Sequence, residues 1–295
     1  MYSEKITEKQ NLSSIDIDEK EILEILEIIN KEDQTVAFAV KQSLPMINEF
    51  IQNLLFRIKK GGRLFYVGSG TSGRLGVLDA AECPPTYSVE PELIQGIIAG
   101  GYDALIHSIE GAEDFSNCGA KEIIKNNIDI NDTVLGITAS SSAPFVLGAL
   151  NESKIRKAYT ALLTCNDPTE LDYVDQIISV IVGPEIITGS TRMKAGTATK
   201  LILNMITTTL MIKLNKTYGN IMVDLKASNK KLWDRGARII QHITSLNYKD
   251  SLNLLQTANG EVKIALIMQQ KQINYDEAKL LLKKFQGKIK PILLS

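Results

Sequence analysis

Residues 64–86 constrain the fold more than any other stretch of this 295-residue chain. Leu64-Phe65-Tyr66-Val67 is apolar and strand-like. It runs into Gly68-Ser69-Gly70-Thr71-Ser72-Gly73-Arg74, rich in glycine and hydroxyls, and then into Leu75-Gly76-Val77-Leu78-Asp79-Ala80-Ala81. An apolar strand that turns within a few glycines into a helix is the first half of a parallel βαβ unit. We therefore expect a strand over 63–67 and a helix from Ser72 to about Glu82. Pro84-Pro85 should end that helix in extended backbone and restrict Cys83 as well.

The turn matches the G-x-G-x-x-G pattern. A dinucleotide reading needs a second strand ending on an acid about 20 residues on. Glu90 and Glu92 stand near that distance, but Pro84, Pro85 and Pro91 leave no room for a central strand before them. Three hydroxyls also suit a small phosphate monoester better than a pyrophosphate. Backbone N–H groups at a helix N-terminus and the hydroxyls of Ser69, Thr71 and Ser72, with Gly70 between them, supply many donors around one anion. The plainer alternative is a tight βα turn with capping serines.

The rest of the chain repeats the alternation. Asp18 is placed to cap a helix over 19–29, and helical period continues over 32–59 until Gly61-Gly62. Strands are expected over 93–99, 133–138, 158–164 and 177–182, with helices from Asp103 towards Glu110 and from Pro144. A second hydroxyl-rich turn, Ser140-Ser141-Ser142, follows the 133–138 strand. From about 191 to 288 the pattern is helical: one long helix, then three over 229–246, 249–270 and 275–287. The polar first 17 residues read as an arm. The fold class is thus α/β, a parallel sheet sandwiched by helices in three layers, with a helical C-terminal segment.

Composition narrows the partners. A net charge of −1 gives no field for nucleic acid or an anionic membrane. No basic and apolar leader opens the chain, and no apolar run reaches the roughly 18 residues of a membrane span. Cys83, Cys118 and Cys165 form neither a disulfide framework nor a metal knuckle, and a reducing cytoplasm is the expected setting. His107 and His242 stand alone, so no metal site is expected.

Two acids stand out. Glu82 falls at the expected helix C-terminus, where the negative end of the dipole should raise its pKa towards that of a general acid, with Asp79 acting in the same direction. Glu113 belongs to Glu110-Gly111-Ala112-Glu113-Asp114. Such a run is ordinarily surface charge, but Gly111 offers a bend that aims one carboxylate inward. Gly189-Ser190-Thr191-Arg192-Met193-Lys194 either binds an anion or caps the long helix.

Residues 68–86, with Ile98-Ala99-Gly100-Gly101, Glu110–Asp114, Gly183–Ala198 and Tyr218–Asp224, resemble the N-acetylmuramic acid 6-phosphate etherase family in matching order. The resemblance implies a sugar isomerase (SIS) fold with a five-stranded parallel sheet, over residues 1–240 with the N-terminal helices, and a small helical subdomain over 241–295. It also implies a homodimer, a phosphosugar substrate and no cofactor. The implied reaction splits the D-lactyl ether of N-acetylmuramate 6-phosphate into N-acetylglucosamine 6-phosphate and D-lactate. In the ring-opened sugar a base removes the C2 proton, an acid protonates the departing C3 ether oxygen, and water adds back. The family's catalytic glutamates correspond to Glu82, the acid, and Glu113, the base. Its phosphate site corresponds to Ser69, Gly70, Thr71 and Ser72, with Ser140 and Ser141 closing the pocket.

The chain departs from the family's pattern twice. Ala139-Ser140-Ser141-Ser142-Ala143-Pro144 replaces Ala-Ser-Gly-Arg-Thr-Pro, and Gln10 stands where an arginine is usual, so altered affinity is expected. Two competing readings are an aldose–ketose phosphosugar isomerase, whose motifs differ around Glu82 and Glu113, and a non-catalytic phosphosugar sensor, which would tolerate loss of either acid.

Overall fold

The computed structural model describes residues 5–167 and 170–294; residues 1–4 of the expected arm lie outside them. After short 3-10 turns come α1 (Ile22–Gln42), α2 (Leu44–Ile58), β1 (Leu64–Gly68), α3 (Gly70–Tyr87), β2 (Ile94–Ile98), α4 (Asp103–Ile106) and α5 (Ser116–Lys125). Then follow β3 (Thr133–Ile137), α6 (Pro144–Ile155), β4 (Tyr159–Thr164), β5 (Gln176–Ser179) and α7 (Lys194–Lys213). The five strands form one parallel sheet in the order β2-β1-β3-β4-β5. This is the expected α/β class with its five-stranded parallel sheet.

Strand side chains alternate, so the two faces bury different sets. Phe65, Val67, Val134 and Leu162 pack with Ile123 of α5 and with Phe145, Val146 and Leu150 of α6. On the opposite face a Cβ at Gly76 of α3 would lie 2.9 Å from the Tyr66 Cβ and 3.5 Å from Ile137 Cδ1. Asp79, on the next turn of α3, accepts hydrogen bonds from Asn204 and Thr207 of α7. Helices thus cover both faces of the sheet.

Strand order fixes where a ligand can sit. The chain leaves β1 for β2 on one side, then crosses back to β3 on the other. The carboxyl ends of β1 and β3 are therefore the topological switch point, where connecting loops part and leave a crevice. The glycine-rich turn follows β1, and the serine turn follows β3.

By packing, the chain divides into two compact units. One runs to Glu82 and resumes over Pro91–Thr207; the other takes Cys83–Glu90 and everything from Thr208 on. The second unit carries a hairpin of β6 (Thr217–Tyr218) and β7 (Ile221–Met222), then α8 (Lys230–Thr244), α9 (Tyr248–Thr257), α10 (Val262–Lys271), α11 (Tyr275–Lys284) and α12 (Lys290–Leu294). Its core gathers Val223, Ile240, Leu255, Val262, Leu266 and Ile292. Lys263, on buried α10, donates to the Asn215 carbonyl at 2.7 Å and pairs with Asp224 at 3.2 Å. Burial pulls its pKa below that of an ordinary lysine.

Several local expectations are corrected. The N-terminal helix starts at Ile22 behind a Glu21–Glu24 capping box, while Asp18 sits in a 3-10 turn. It then runs unbroken to Gln42, because no glycine or proline stands between 29 and 32 to break it. Only one turn forms at Asp103–Ile106, and Asp103 does not cap it. The region 249–270 splits at Gly260, whose φ of +78° no helix accepts, and the hairpin at 217–222 interrupts the helical run. The largest correction is α3, which passes through Pro84 and Pro85 to Tyr87. The φ fixed by a proline ring is close to the helical value, so the two residues withdraw donors without forcing extended backbone. The Pro84 carbonyl still accepts from Ser88 N–H at 3.0 Å.

Candidate active site

The turn after β1 opens with Gly70 at φ +49°, in the left-handed region that glycine reaches without strain. The first N–H groups of α3 then have no intrahelical acceptor and face the switch point. Gly73 is required for a different reason: a Cβ there would lie 2.6 Å from Ile98 Cγ1 and 2.8 Å from the Gly68 carbonyl oxygen. Only glycine lets the helix start this close to its strand. Ser69, Gly70, Thr71 and Ser72 consequently line a cleft of about 280 Å³.

Glu113 reaches the same cleft from the segment between α4 and α5. Gly111 adopts φ +71°, and Asp114 N–H closes the bend on the Gly111 carbonyl at 3.1 Å. Phe145 N–H at the start of α6 donates to the Glu113 carbonyl at 2.9 Å, which fixes the backbone. Close helix crossing supports it: a Cβ on Gly119 of α5 would strike the Phe145 carbonyl, and one on Gly148 of α6 the Ser116 carbonyl. The side chain is then held by Ser69, whose hydroxyl donates to Glu113 Oε2 at 2.6 Å. Ser69 therefore orients a carboxylate in the free protein, where the sequence suggested a phosphate ligand.

The second turn closes the cleft. Ser140 and Ser142 hydroxyls lie 2.8 Å apart, and both residues line it with Thr138 and Pro144. Ser141 has φ +60°, a glycine-favouring backbone, and its hydroxyl bonds to that of Thr164. It is not among the residues lining the cleft, so its hydroxyl shapes the turn from behind.

Three contributors carried no readable signal in the sequence. Buried Asn166 donates to the Ala139 carbonyl at 2.7 Å and to Thr7 Oγ1 at 3.1 Å, while its Oδ1 accepts from Ile6 N–H at 2.7 Å. This one amide ties the N-terminal arm to the serine turn and sets Glu8 in the cleft opposite Gly189 and Thr191. Asn11 Nδ2 anchors the arm again, on Glu32 at 2.9 Å and on the Pro184 carbonyl at 3.2 Å. Glu32 is also the 2.7 Å partner of Lys194. Fully buried Glu185 accepts the N–H groups of Lys194 and Ala195, each at 2.9 Å, and so caps α7. The hydroxyls of Ser190 and Thr191 are not the cap.

Glu82 lies elsewhere. Twelve helical steps lead to it from Gly70, an axial distance of about 18 Å, and α3 points its N-terminus at the cleft. Glu82 is exposed and does not line the cleft. Because α3 continues to Tyr87, the helix-end field expected at Glu82 is absent. Asp79 is instead a buried structural acid. It accepts from Tyr66 Oη at 3.0 Å, Asn204 Nδ2 at 3.0 Å and Thr207 Oγ1 at 3.2 Å, and burial raises its pKa against those bonds.

The cleft is thus lined by three carboxylates, Glu8, Glu113 and Asp114, by hydroxyls and by free N–H groups, with no cationic side chain among the described residues. Among the described residues, no group of three or more His, Cys, Asp or Glu side chains is placed to hold a metal ion, and no helix is long and apolar enough to cross a membrane. A carboxylate fixed beside an anion cradle is equipped to move a proton on a phosphorylated carbonyl compound.

This fold and site define a sugar isomerase (SIS) domain, and residues 46–154 match the model of the glucokinase regulatory protein N-terminal SIS domain. Residues 219–275 match that of the C-terminal lid domain of glucokinase regulatory protein. The chain is 47% identical over 284 residues to an N-acetylmuramic acid 6-phosphate etherase of Clostridium beijerinckii, covering 96% of this chain and 93% of that one. It is 48% identical over 288 residues to one from Bacillus licheniformis (97% and 95%) and 46% identical over 289 to one from Photorhabdus laumondii (98% and 96%). The chain belongs to the N-acetylmuramic acid 6-phosphate etherase family.

Proposed function

We propose that the chain cleaves the D-lactyl ether of N-acetylmuramate 6-phosphate, releasing D-lactate and N-acetylglucosamine 6-phosphate. The observation that carries this reading is Glu113, backbone-pinned and hydrogen-bonded to Ser69 at the edge of the anion cradle. The phosphate rests on the N–H groups and hydroxyls of Thr71 and Ser72, with Ser140 opposite. Glu113 takes the C2 proton of the ring-opened aldehyde. The elimination expels the C3 ether oxygen, and water adds to the unsaturated aldehyde. Sequence identity near half over almost the whole length supports this substrate over the isomerase alternative. Retention of both glutamates argues against the sensor.

Glu82 remains the acid that protonates the departing oxygen, and we assign it to the cleft of a second copy. The length of α3 supports this: a carboxylate about 18 Å along the axis from its own cradle, and exposed, is free to serve a neighbour. The working form is then a homodimer. Free thiols and a phosphorylated substrate support a cytoplasmic setting. The test is to incubate the protein with N-acetylmuramate 6-phosphate and assay D-lactate. Release that disappears in Glu113→Gln supports the reading, and no release from folded protein refutes it.

A further inference from the structure

Glu8, Ser140, Ser142, Gly189 and Thr191 line the cleft from three segments outside the sheet: the N-terminal arm, the serine turn and the loop before α7. The arm is the most weakly built of these. It consists of three 3-10 turns of three residues each, Ile6–Glu8, Leu12–Ser14 and Ile17–Glu19, and it leaves Leu12 and Ile15 exposed. Side-chain hydrogen bonds hold it where a strand would have a ladder. Asn11 donates to Glu32 and to the Pro184 carbonyl, and the Ser14 hydroxyl donates to the Ile186 carbonyl at 2.7 Å. A segment attached this way opens at a lower free energy than the sheet behind it. Its deepest attachment joins buried Thr7 to buried Asn166. The Asn166 amide is fully used: Oδ1 accepts from Ile6 N–H at 2.7 Å and Thr7 N–H at 3.4 Å, and Nδ2 donates to Thr7 Oγ1 and to the Ala139 carbonyl.

The arm and the serine turn therefore share one amide, and one rotamer of that amide serves both. The Ala139 carbonyl at the root of the turn also accepts from Cys165 N–H at 3.1 Å and from Thr164 Oγ1 at 3.2 Å, so the turn keeps an anchor of its own. When the arm lifts, Asn166 loses Ile6 and Thr7 together. When a bound group fixes the turn, the amide is already aimed at the arm, and the two events favour each other. We propose that residues 6–14 form a strap gated by the substrate. Phosphate bound at Ser140 and the α3 N-terminus stiffens the serine turn, Asn166 passes that order to the arm, and the arm closes with Glu8 against the cleft. Asn166 is thus a positioning residue. The proposal rests on the phosphosugar reading of the cleft and adds to it how the cleft opens for a substrate and closes over it.

Trypsin reads the strap directly, because Lys9 is exposed within it and cleavage there requires the arm to lift. Saturating N-acetylglucosamine 6-phosphate, its binding established by calorimetry, should slow the release of residues 1–9 by about fivefold or more. Asn166→Ala should raise the ligand-free cleavage rate about tenfold and cut the protection to less than about twofold. Asn11→Ala loosens the arm without touching the serine turn, so it should raise cleavage yet keep the protection. Cleavage that ignores a bound phosphosugar overturns the strap, and so does protection that survives intact in Asn166→Ala. Protection lost equally in Asn11→Ala would trace the effect to a loosened arm and overturn the coupling through Asn166. Absence of any heat of binding removes the phosphosugar reading and the strap with it, whereas absence of D-lactate from the unaltered protein counts only against the etherase reading.

Discussion

Replacing Ser69 with alanine separates two roles that one hydroxyl can play in such a turn. Its hydroxyl donates to Glu113 Oε2 at 2.6 Å, the usual length of a charge-assisted hydroxyl–carboxylate bond. Such a bond contributes about 1.5–3 kcal/mol. The Glu113 backbone stays fixed by Phe145 N–H, so the variant keeps its base but frees the side chain to rotate away from C2. A loss of that size confined to the chemical step lowers kcat roughly 10- to 150-fold. KM should move by less than about threefold, because Thr71, Ser72 and the helix N–H groups still hold the phosphate. D-lactate release across a substrate series gives both constants, and a thermal melt confirms the fold. A variant with normal kcat and a KM raised tenfold or more would show that Ser69 serves the phosphate, and the orientation argument would fall.

Ser72→Ala should do the reverse, raising KM severalfold with kcat nearly unchanged; a drop in kcat alone would remove Ser72 from the cradle. Gly73→Ala forces a methyl against the Gly68 carbonyl and Ile98, and urea titration should show a loss of about 1–3 kcal/mol. Stability unchanged within error would mean that strand and helix can separate freely. Asp79 predicts a pH dependence. Burial raises its folded-state pKa above the ordinary 3.8, so the folded protein holds the proton more tightly. Its contribution to stability is complete below pH 3.8 and is lost as pH rises through the folded pKa. Asp79→Asn retains acceptors for Asn204 and Thr207 and should flatten that decline in urea midpoints taken between about pH 3 and 7. An unchanged slope would place the pH dependence elsewhere.

Much of the first unit is legible from local pattern. The β1–turn–α3 segment and the serine turn after β3 announce themselves because glycine and hydroxyl positions answer to short-range geometry. Glu113 is visible only as one acid in a run; its direction comes from Gly111 and from a bond to Phe145, more than thirty residues away. Asn166 and Glu8 are illegible for the same reason, since an amide that joins residues 6, 7 and 139 has no local signature. The proline pair misleads because breaker rules describe lost donors, whereas a proline's φ is itself compatible with a helix. That one misreading placed Glu82 at a helix end, although the helix expected from Ser72 already set it about 15 Å along the axis from its own turn.

The decisive measurement concerns that distance. Glu82→Gln and Glu113→Gln chains, each inactive alone, should on co-expression form mixed dimers with one intact site. Random pairing makes half the dimers mixed, each with one working site of two, so D-lactate release should return to about a quarter of the unaltered rate. No recovery in demonstrably mixed dimers would mean that Glu82 does not work across the two chains, and near-normal activity in either single variant would remove that glutamate from the chemistry.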